Sequence, residues 1–190
     1  MPIIMYLGGN VKEYAKKSKE IIAQAICKGG LLCGLCLNAM ARHSSYTRSI
    51  KESGDEIEIT VVWCSKCKQW HALLPDFLLP HKHYSGNEIE SVIIDSETMP
   101  SDEIETEASP ATVKRWIEQI GERIVAAVGK LKYTFGQAGR SVSETAIAPG
   151  HCYSELEQIL EMAPAEAKCS GNKLGLANMW LGTSGMGAYI

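Results

Sequence analysis

The stretch TVVWCSKCKQWHALLPDFLLPHKHYS (residues 60–85) places two cysteines two residues apart, directly after a run of β-forming side chains. A second pair with the same spacing lies upstream in LLCGLC (residues 31–36). A Cys-x-x-Cys turn directs both sulfurs at one ion, and two such turns complete a tetrahedral thiolate site. The two pairs therefore predict one structural Zn²⁺ site whose ligands are Cys33, Cys36, Cys64 and Cys67.

The segment between the two cysteine pairs is predicted to form a β-hairpin. SSYTRSIK (residues 44–51) and EIEITVVW (residues 56–63) are rich in β-forming residues, and ESGD supplies a turn between them. In the second run Ile57, Ile59 and Val61 alternate with polar residues, as in a half-buried strand. Such a hairpin brings the two cysteine pairs together and makes the region a zinc ribbon, in which a metal ion replaces much of a hydrophobic core.

Three alternatives to zinc binding stay open from the sequence: four buried thiols, a redox dithiol and an iron–sulfur cluster. A redox pair normally opens a helix in a βαβ context, and neither cysteine pair is predicted to do so. Four thiolates close a zinc site, so further ligands are not expected and no position is left for a substrate. The remaining candidate ligands are assigned to packing or to the surface: Cys27, His43, His71, Cys152 and Cys169.

The composition is that of a folded protein whose middle segment is wholly acidic. The chain has 190 residues, of which 45% are hydrophobic and 22% charged, with a net charge of −3. Residues 1–84 carry 11 basic against 7 acidic side chains, residues 85–108 carry 8 acidic and no basic ones, and residues 109–190 carry 8 basic and 7 acidic. DNA affinity depends on neutralising phosphates, so any DNA contact must be local.

Cellular location is predicted from cysteine usage and hydropathy. The chain has seven cysteines, and the clustering of four of them in two Cys-x-x-Cys pairs favours metal binding in a reducing compartment over a disulfide framework. The sequence has no apolar run of the length that a bilayer requires, and its first residues lack a basic leader. We therefore expect a cytoplasmic protein that does not bind a membrane.

The N-terminal part of the chain predicts one strand and one helix before the hairpin, and one strand after it. PIIMYL (residues 2–7) is apolar, and Asn10 is a suitable N-cap for an amphipathic helix over residues 11–26. After the second cysteine pair, QWHALL (residues 69–74) forms a third short β-run that stops at Pro75.

The residues after the ribbon predict a helix-turn-helix. Ser85 and Glu88 have the spacing of a reciprocal capping box at the start of a helix over residues 87–96. A shorter helix is predicted from near Ser101, and a long helix with proline at its first position over residues 110–132. Two short helices followed by a longer one form the layout in which the last helix enters the major groove.

The long helix offers candidate DNA contacts in SPATVKRWIEQI (residues 109–120). Its apolar stripe takes Val113, Trp116 and Ile117, which leaves the polar side chains outward. Arginine can bind guanine or phosphate with two hydrogen bonds, and hydroxyl groups can bind backbone oxygens. An ordinary amphipathic helix with a solvated Lys-Arg pair explains the pattern equally well. The predicted DNA contacts are Ser109, Thr112, Lys114, Arg115 and Gln119.

The C-terminal part is less regular. CYSELEQILEMA (residues 152–163) predicts a short amphipathic helix, whereas residues 173–190 are apolar and glycine-rich without a clear period. The whole chain is predicted to be an α+β protein in which a small zinc-ribbon β-hairpin domain precedes a helical helix-turn-helix bundle. Its predicted parts are an N-terminal helix with the ribbon (1–84), a helix-turn-helix (85–135) and a helical tail (136–190).

The motif order resembles the zinc-ribbon and helix-turn-helix region of bacterial insertion-sequence transposases. The resemblance rests on CGLC, RHSSYTR, the hairpin, CSKCKQWHALLPDFLLPHKHYS and SPATVKRW, in that order. The chain is still more similar to a family of uncharacterised bacterial proteins that carry this region alone, preceded by a strand like IIMYL and a helix like VKEYAKKSK. The resemblance implies that the four cysteines are metal ligands, that residues 109–119 form the reading helix and that the transposase catalytic domain is missing.

The function expected from these features is recognition of double-stranded DNA without chemistry, in a regulatory role or as a derivative of a mobile element. The alternative is a zinc-stabilised protein–protein adaptor, in which the acidic helices and the apolar tail bind a partner. An enzyme is the least favoured reading, because the predicted zinc site is closed.

Overall fold

The computed structural model describes residues 2–137, 151–162 and 171–183, which form a mixed α+β fold. Within these ranges the chain makes four strands and five helices. Their bounds are β1 Ile3–Met5, α1 Val11–Cys27, β2 Ala41–Ser49, β3 Glu56–Cys64, β4 Gln69–Pro75, α2 Gly86–Asp95, α3 Pro110–Gln137, α4 Cys152–Leu160 and α5 Lys173–Thr183. None of the helices in these ranges has both the length and the apolarity that crossing a bilayer requires.

The four strands form one sheet in the order β1-β4-β3-β2. The predicted hairpin is confirmed as β2 and β3, and the third β-run is confirmed as β4, which pairs antiparallel with β3. Strand β1, the first along the chain, lies at the sheet edge opposite β2 and pairs parallel with β4. The hairpin turn contains Gly54 at φ +69°, a left-handed conformation that glycine adopts without a steric penalty.

Helix α1 forms as predicted and lies against β3. The Asn10 side chain caps it by accepting the Glu13 N–H at 3.0 Å. The buried Tyr14 hydroxyl donates to the Glu58 carbonyl oxygen at 2.7 Å, and the Lys19 ammonium pairs with the Glu58 carboxylate at 3.0 Å. Both sides of β3 are therefore covered along part of its length, since Thr60 is buried as well as Ile59.

Helix α2 is capped at Ser85, but the predicted reciprocal capping box is wrong in its second half. The Ser85 side chain accepts the Glu88 N–H at 3.2 Å, as expected. The Ser85 N–H, however, donates to the Glu52 carboxylate at 2.7 Å, while the Glu88 carboxylate accepts from the Thr106 hydroxyl at 2.5 Å. The Glu52 carboxylate, near the hairpin turn, therefore accepts the Ser85 N–H that Glu88 was expected to accept. This hydrogen bond connects the sheet to α2.

The short helix predicted from near Ser101 is not formed. Residues 96–109 are turns and irregular backbone, with Ile104 and Ala108 buried as anchors. The Thr106 hydroxyl accepts the Ala108 N–H at 3.1 Å, a local bond that competes with helical hydrogen bonding. A connection of this length between α2 and α3 replaces the short turn of a helix-turn-helix, so that arrangement is not confirmed.

Helix α3 begins at Pro110, as predicted, and runs to Gln137, beyond the predicted end. One face of α3 packs with α2, α4 and α5 in a hydrophobic cluster. The short amphipathic helix predicted from residue 152 is confirmed as α4, whereas α5 was not predicted. Helix α5 is largely buried, and its side chains are apolar around most of its circumference. A helix of this kind lacks the amphipathic period by which a sequence pattern predicts a helix.

Two hydrophobic clusters organise the described residues. One joins the sheet, α1 and the buried cysteines, and the other joins the helices from Leu79 onward. The buried Glu90 carboxylate ties α2 to both C-terminal helices, because it accepts the Tyr153 hydroxyl at 2.6 Å and the Leu174 N–H at 3.0 Å. The division into parts 1–84, 85–135 and 136–190 stays a prediction, although the last two parts share one cluster here.

Helix α5 meets the sheet at a glycine, which yields a test of the packing. A Cβ at Gly175 would overlap the Asp76 carbonyl oxygen, whereas a Cβ at Gly129 in α3 would meet nothing within 4 Å. We expect Gly175→Ala to destabilise the protein by about 1–3 kcal/mol through overpacking. The control Gly129→Ala should stabilise it by roughly 0.5–1 kcal/mol, because alanine is the better helix former. Urea unfolding measures both, and a Gly175→Ala variant as stable as the parent would contradict this packing.

Candidate metal centre and cationic cleft

The two cysteine pairs lie in turns of the same backbone geometry. In the first, the Leu37 N–H donates to the Cys33 carbonyl oxygen at 2.8 Å; in the second, the Lys68 N–H donates to the Cys64 carbonyl oxygen at 2.9 Å. Leu37 and Lys68 both adopt left-handed backbone, at φ 58° and 56°. Such backbone is unfavourable for residues other than glycine, and it persists where surrounding interactions fix it. Both turns are therefore shaped to present their two sulfurs.

The four predicted ligands, Cys33, Cys36, Cys64 and Cys67, converge on one point. Their Sγ atoms all lie within 4.8 Å of one another. Sulfurs from different turns are 3.8 Å apart for Cys33 and Cys67 and 3.5 Å apart for Cys36 and Cys64. A tetrahedron with metal–sulfur bonds of roughly 2.3 Å separates its sulfurs by about 3.8 Å. The quartet can therefore hold one metal ion, as the cysteine spacing predicted.

The thiols of the quartet perturb one another. The Cys67 N–H, 3.4 Å from the Cys64 sulfur, lowers the pKa of Cys64 to about 7. Hydrogen bonding with the Cys36 thiol, followed by burial, raises the pKa of Cys67 to about 12. Without a cation the cluster therefore retains protons, and a metal ion that binds four thiolates must displace them.

The structure adds His71 to the surroundings of the quartet. Its ring is 1% exposed, and its Nε2 atom lies 3.7 Å from the Cys33 sulfur. The imidazole can donate an N–H to this sulfur, which supports a thiolate without joining the four ligands. Strand alternation could have indicated that His71 lies beside the quartet. His71 pairs with Val62, and Val62 and Cys64 are two residues apart on β3, so all three side chains share one face of the sheet.

The other candidate ligands lie away from the quartet. The His43 ring lies against Trp63 and Trp70, with centroid distances of 6.4 and 5.7 Å. Cys27 is exposed at the end of α1, and Cys152 is half-buried in α4. Cys169 falls outside the described residues.

The predicted DNA contacts separate into two groups. Thr112, Arg115 and Gln119 line a cleft of about 480 Å³ between the first turns of α3 and residues 80–84. Lys114 is exposed outside this cleft. The Ser109 hydroxyl lies 3.0 Å from the Thr112 hydroxyl, so it bonds a side chain and does not cap a helix amide.

The cleft concentrates positive charge from three parts of the chain. We call it the cationic cleft, and its cations are Lys51, Lys82, Arg115 and Arg123. Among the described residues that line it, none is acidic, and no ion pair of the described ranges involves any of these four. Burial, and then the charges of Arg123 and Arg115, lower the pKa of Lys82. An anion in the cleft would relieve this repulsion.

The hairpin holds one wall of the cationic cleft in place. The Arg48 guanidinium of β2 donates to the carbonyl oxygens of Leu79 and Lys82. The Lys51 N–H donates to the His83 carbonyl oxygen at 2.8 Å. At the end of this wall, the Tyr84 ring stands edge-on to Trp116 of α3, on the other wall, at 4.9 Å. The positions of Lys51 and Lys82 therefore depend on the hairpin, whereas α3 carries Arg115 and Arg123.

Comparison with known proteins finds one match to a family. Residues 33–116 match the model of a domain of unknown function (DUF6431). The matched segment is less than half of the chain; it begins at the first cysteine of the quartet and ends at Trp116, before Arg123. No curated protein and no solved structure matches the chain. The resemblance to transposases therefore stays a prediction.

The quartet yields a prediction about metal content. Cys64→Ser should lose the metal ion and unfold the hairpin, because three ligands forfeit much of the folding free energy that an ion supplies. Cys27→Ser, which changes an exposed thiol of the same chain, should keep one metal ion per chain. Elemental analysis of protein purified without chelator measures both. Equal metal content in the two variants would show that the quartet is not the site.

The contact between His71 and Cys33 yields a separate prediction. His71→Gln should keep one metal ion per chain at saturation but weaken metal affinity by roughly 10- to 100-fold, the usual effect of losing a hydrogen bond to a ligand. Competition with a chelator measures the affinity, and His43→Gln is the matched control. Unchanged affinity in His71→Gln would mean that this ring serves packing alone.

Proposed function

We propose that the protein binds one structural Zn²⁺ ion at the cysteine quartet and binds double-stranded DNA through the cationic cleft. The observation that carries the DNA proposal is the group of four cations that line one cleft, whose described lining residues include no acidic side chain. The proposal assigns no chemistry to the zinc ion, because four thiolates leave no position for a substrate.

The donor set supports zinc as the ion. Four thiolates in tetrahedral spacing suit zinc or iron, whereas calcium and magnesium prefer oxygen ligands. Two left-handed Cys-x-x-Cys turns at the ends of a hairpin are typical of structural zinc sites in small β domains. The ion would join the first turn to the β3–β4 connection and so fix the hairpin.

The arrangement of α3 supports DNA as the ligand. Thr112, Arg115, Gln119 and Arg123 recur at intervals of three or four residues, so they form one stripe along the helix. Arginine and glutamine side chains can bind base edges as well as phosphates. Lys51 and Lys82 add positive charge from the opposite wall. The chain as a whole carries a net charge of −3, so a phosphate backbone is attracted where cations cluster, as they do in this cleft.

A protein–protein adaptor is the second candidate, and the first cysteine turn favours it. Leu32, Leu35 and Leu37 are 46%, 64% and 73% exposed there. Adjacent exposed leucines are typical of surfaces that bind another protein. An adaptor would bind its partner at this turn and would show no affinity for duplex DNA.

The DNA proposal predicts a salt-dependent affinity that depends on Arg115. Fluorescence anisotropy of short random-sequence duplexes should show affinity that falls steeply with salt, because phosphate binding releases counterions. Arg115→Ala should reduce the slope of log affinity against log salt by about one unit. Folding should be unaffected, since exposed substitutions usually change stability by no more than about 0.5 kcal/mol.

Two variants of equal charge change serve as controls. Lys114→Ala removes a positive charge one residue away but outside the cationic cleft, so its loss of affinity should be smaller than that of Arg115→Ala. Lys16→Ala on α1 should leave binding unchanged. If all three variants lose the same amount of duplex affinity, DNA is attracted by the charge of the whole protein and is not bound at the cationic cleft. If the parent binds no duplex, the adaptor is favoured.

A further inference from the structure

A second concave surface lies on the sheet, next to the cationic cleft. It encloses about 740 Å³ and is lined by residues of three strands, including Tyr46, Val61, Trp70 and Ala72. The strand register places these on one face, because Val61 pairs with Ala72 and Trp63 with Trp70, while Tyr46 pairs with Ile59. This is the face opposite the side chain of Glu58, which pairs with Lys19 of α1.

Three of the rings on this face pack against one another, and all of its rings except the half-buried Trp63 are exposed. We call Tyr46, Trp63, Trp70 and His43 the aromatic face. The Trp70 ring lies 5.4 Å from the Trp63 ring and 5.7 Å from the His43 ring, yet 60% of the residue is exposed. Tyr46 is 44% exposed. Indole and phenol rings usually bury their surfaces, so a supported ring with one side open is suited to stacking on a flat ligand.

The charge around the aromatic face indicates which flat ligand fits. The cations that line this concave surface are Arg48 and Lys82, and among the described residues that line it none is acidic. The segment from Pro80 to His83 also lines the cationic cleft, so the two concave surfaces are adjacent and share this segment as a common wall. A ligand that matches both must combine flat apolar groups with regular negative charges. Unpaired nucleotides have this combination, whereas duplex DNA keeps its base faces stacked inside.

We propose that the aromatic face binds unpaired bases of a nucleic acid strand, with the Trp70 ring as the principal stacking surface. The strand's phosphates would pass His81 to His83 and enter the cationic cleft, where duplex DNA is proposed to bind. This inference rests on the proposed function for the cleft, and it adds a preference for DNA in which a duplex continues into a single strand.

The test compares three labelled DNA probes by fluorescence anisotropy: single-stranded oligothymidylate, a blunt duplex, and the same duplex with an oligothymidylate overhang. The parent should bind oligothymidylate and should bind the overhang duplex more tightly than the blunt one. Trp70→Ala should weaken binding of oligothymidylate by roughly 5- to 150-fold, the range for loss of one base–aromatic stack. It should also remove the overhang preference and leave blunt-duplex affinity unchanged.

Two further variants separate stacking from folding. Tyr133→Ala removes an aromatic residue that is 66% exposed on α3, away from the sheet, and should leave all three affinities unchanged. Trp70→Phe should restore part of the oligothymidylate affinity, because phenylalanine still presents a ring. Metal content and unfolding of each variant show whether the ribbon is intact.

The outcomes distinguish this inference from the proposed function. If blunt duplexes bind and Trp70→Ala leaves oligothymidylate affinity unchanged, the aromatic face is not a base-stacking surface and the duplex proposal stands. If the parent binds oligothymidylate through Trp70 but not blunt duplexes, the duplex proposal fails and the stacking surface stands. If the parent binds no oligothymidylate, the inference is wrong, and a protein segment becomes the better occupant of the aromatic face.

Discussion

The convergence of four cysteine sulfurs is the constraint on which the ribbon depends. Strand β2 has no buried residue, and only Arg48 along it is even half-buried, so hydrophobic burial contributes little to its position. It is held by backbone hydrogen bonds to β3 and, under the proposed function, by the ion that joins the first turn to the β3–β4 connection. Left-handed backbone at Leu37 and Lys68 is unfavourable on its own, and a bound metal would offset that cost.

The hairpin holds one wall of the cationic cleft. Arg48 at the end of β2 and Lys51 in the hairpin turn hold residues 79–83, and these residues carry Lys82 towards Arg115 and Arg123 of α3. The helices supply the other wall through their own hydrophobic cluster. Under the proposed function, the zinc ion that fixes the hairpin therefore also stabilises the wall that carries Lys51 and Lys82, without a catalytic role.

Much of the fold was predictable because local patterns were strong. The repeated Cys-x-x-Cys spacing, the alternation around Ile59 and the cap at Asn10 each rest on chemistry within a few residues. The failures involve distant partners: Glu52 replaces Glu88 at the N-terminus of α2, and burial hides the helical period of α5. The cleft combines residues from the hairpin turn, the loop at residues 80–84 and α3, so spacing along the chain identified only Thr112, Arg115 and Gln119 and missed Arg123.

X-ray absorption at the zinc edge, on protein purified without chelator, identifies the atoms that surround the bound ion. We expect one zinc ion per chain with four sulfur neighbours at roughly 2.3 Å and no nitrogen neighbour, because His71 contacts Cys33 without replacing it. A spectrum with a nitrogen ligand at roughly 2.0–2.1 Å would mean that the quartet is not the ligand set. The absence of zinc and of any other bound metal would contradict the account of how the hairpin is held.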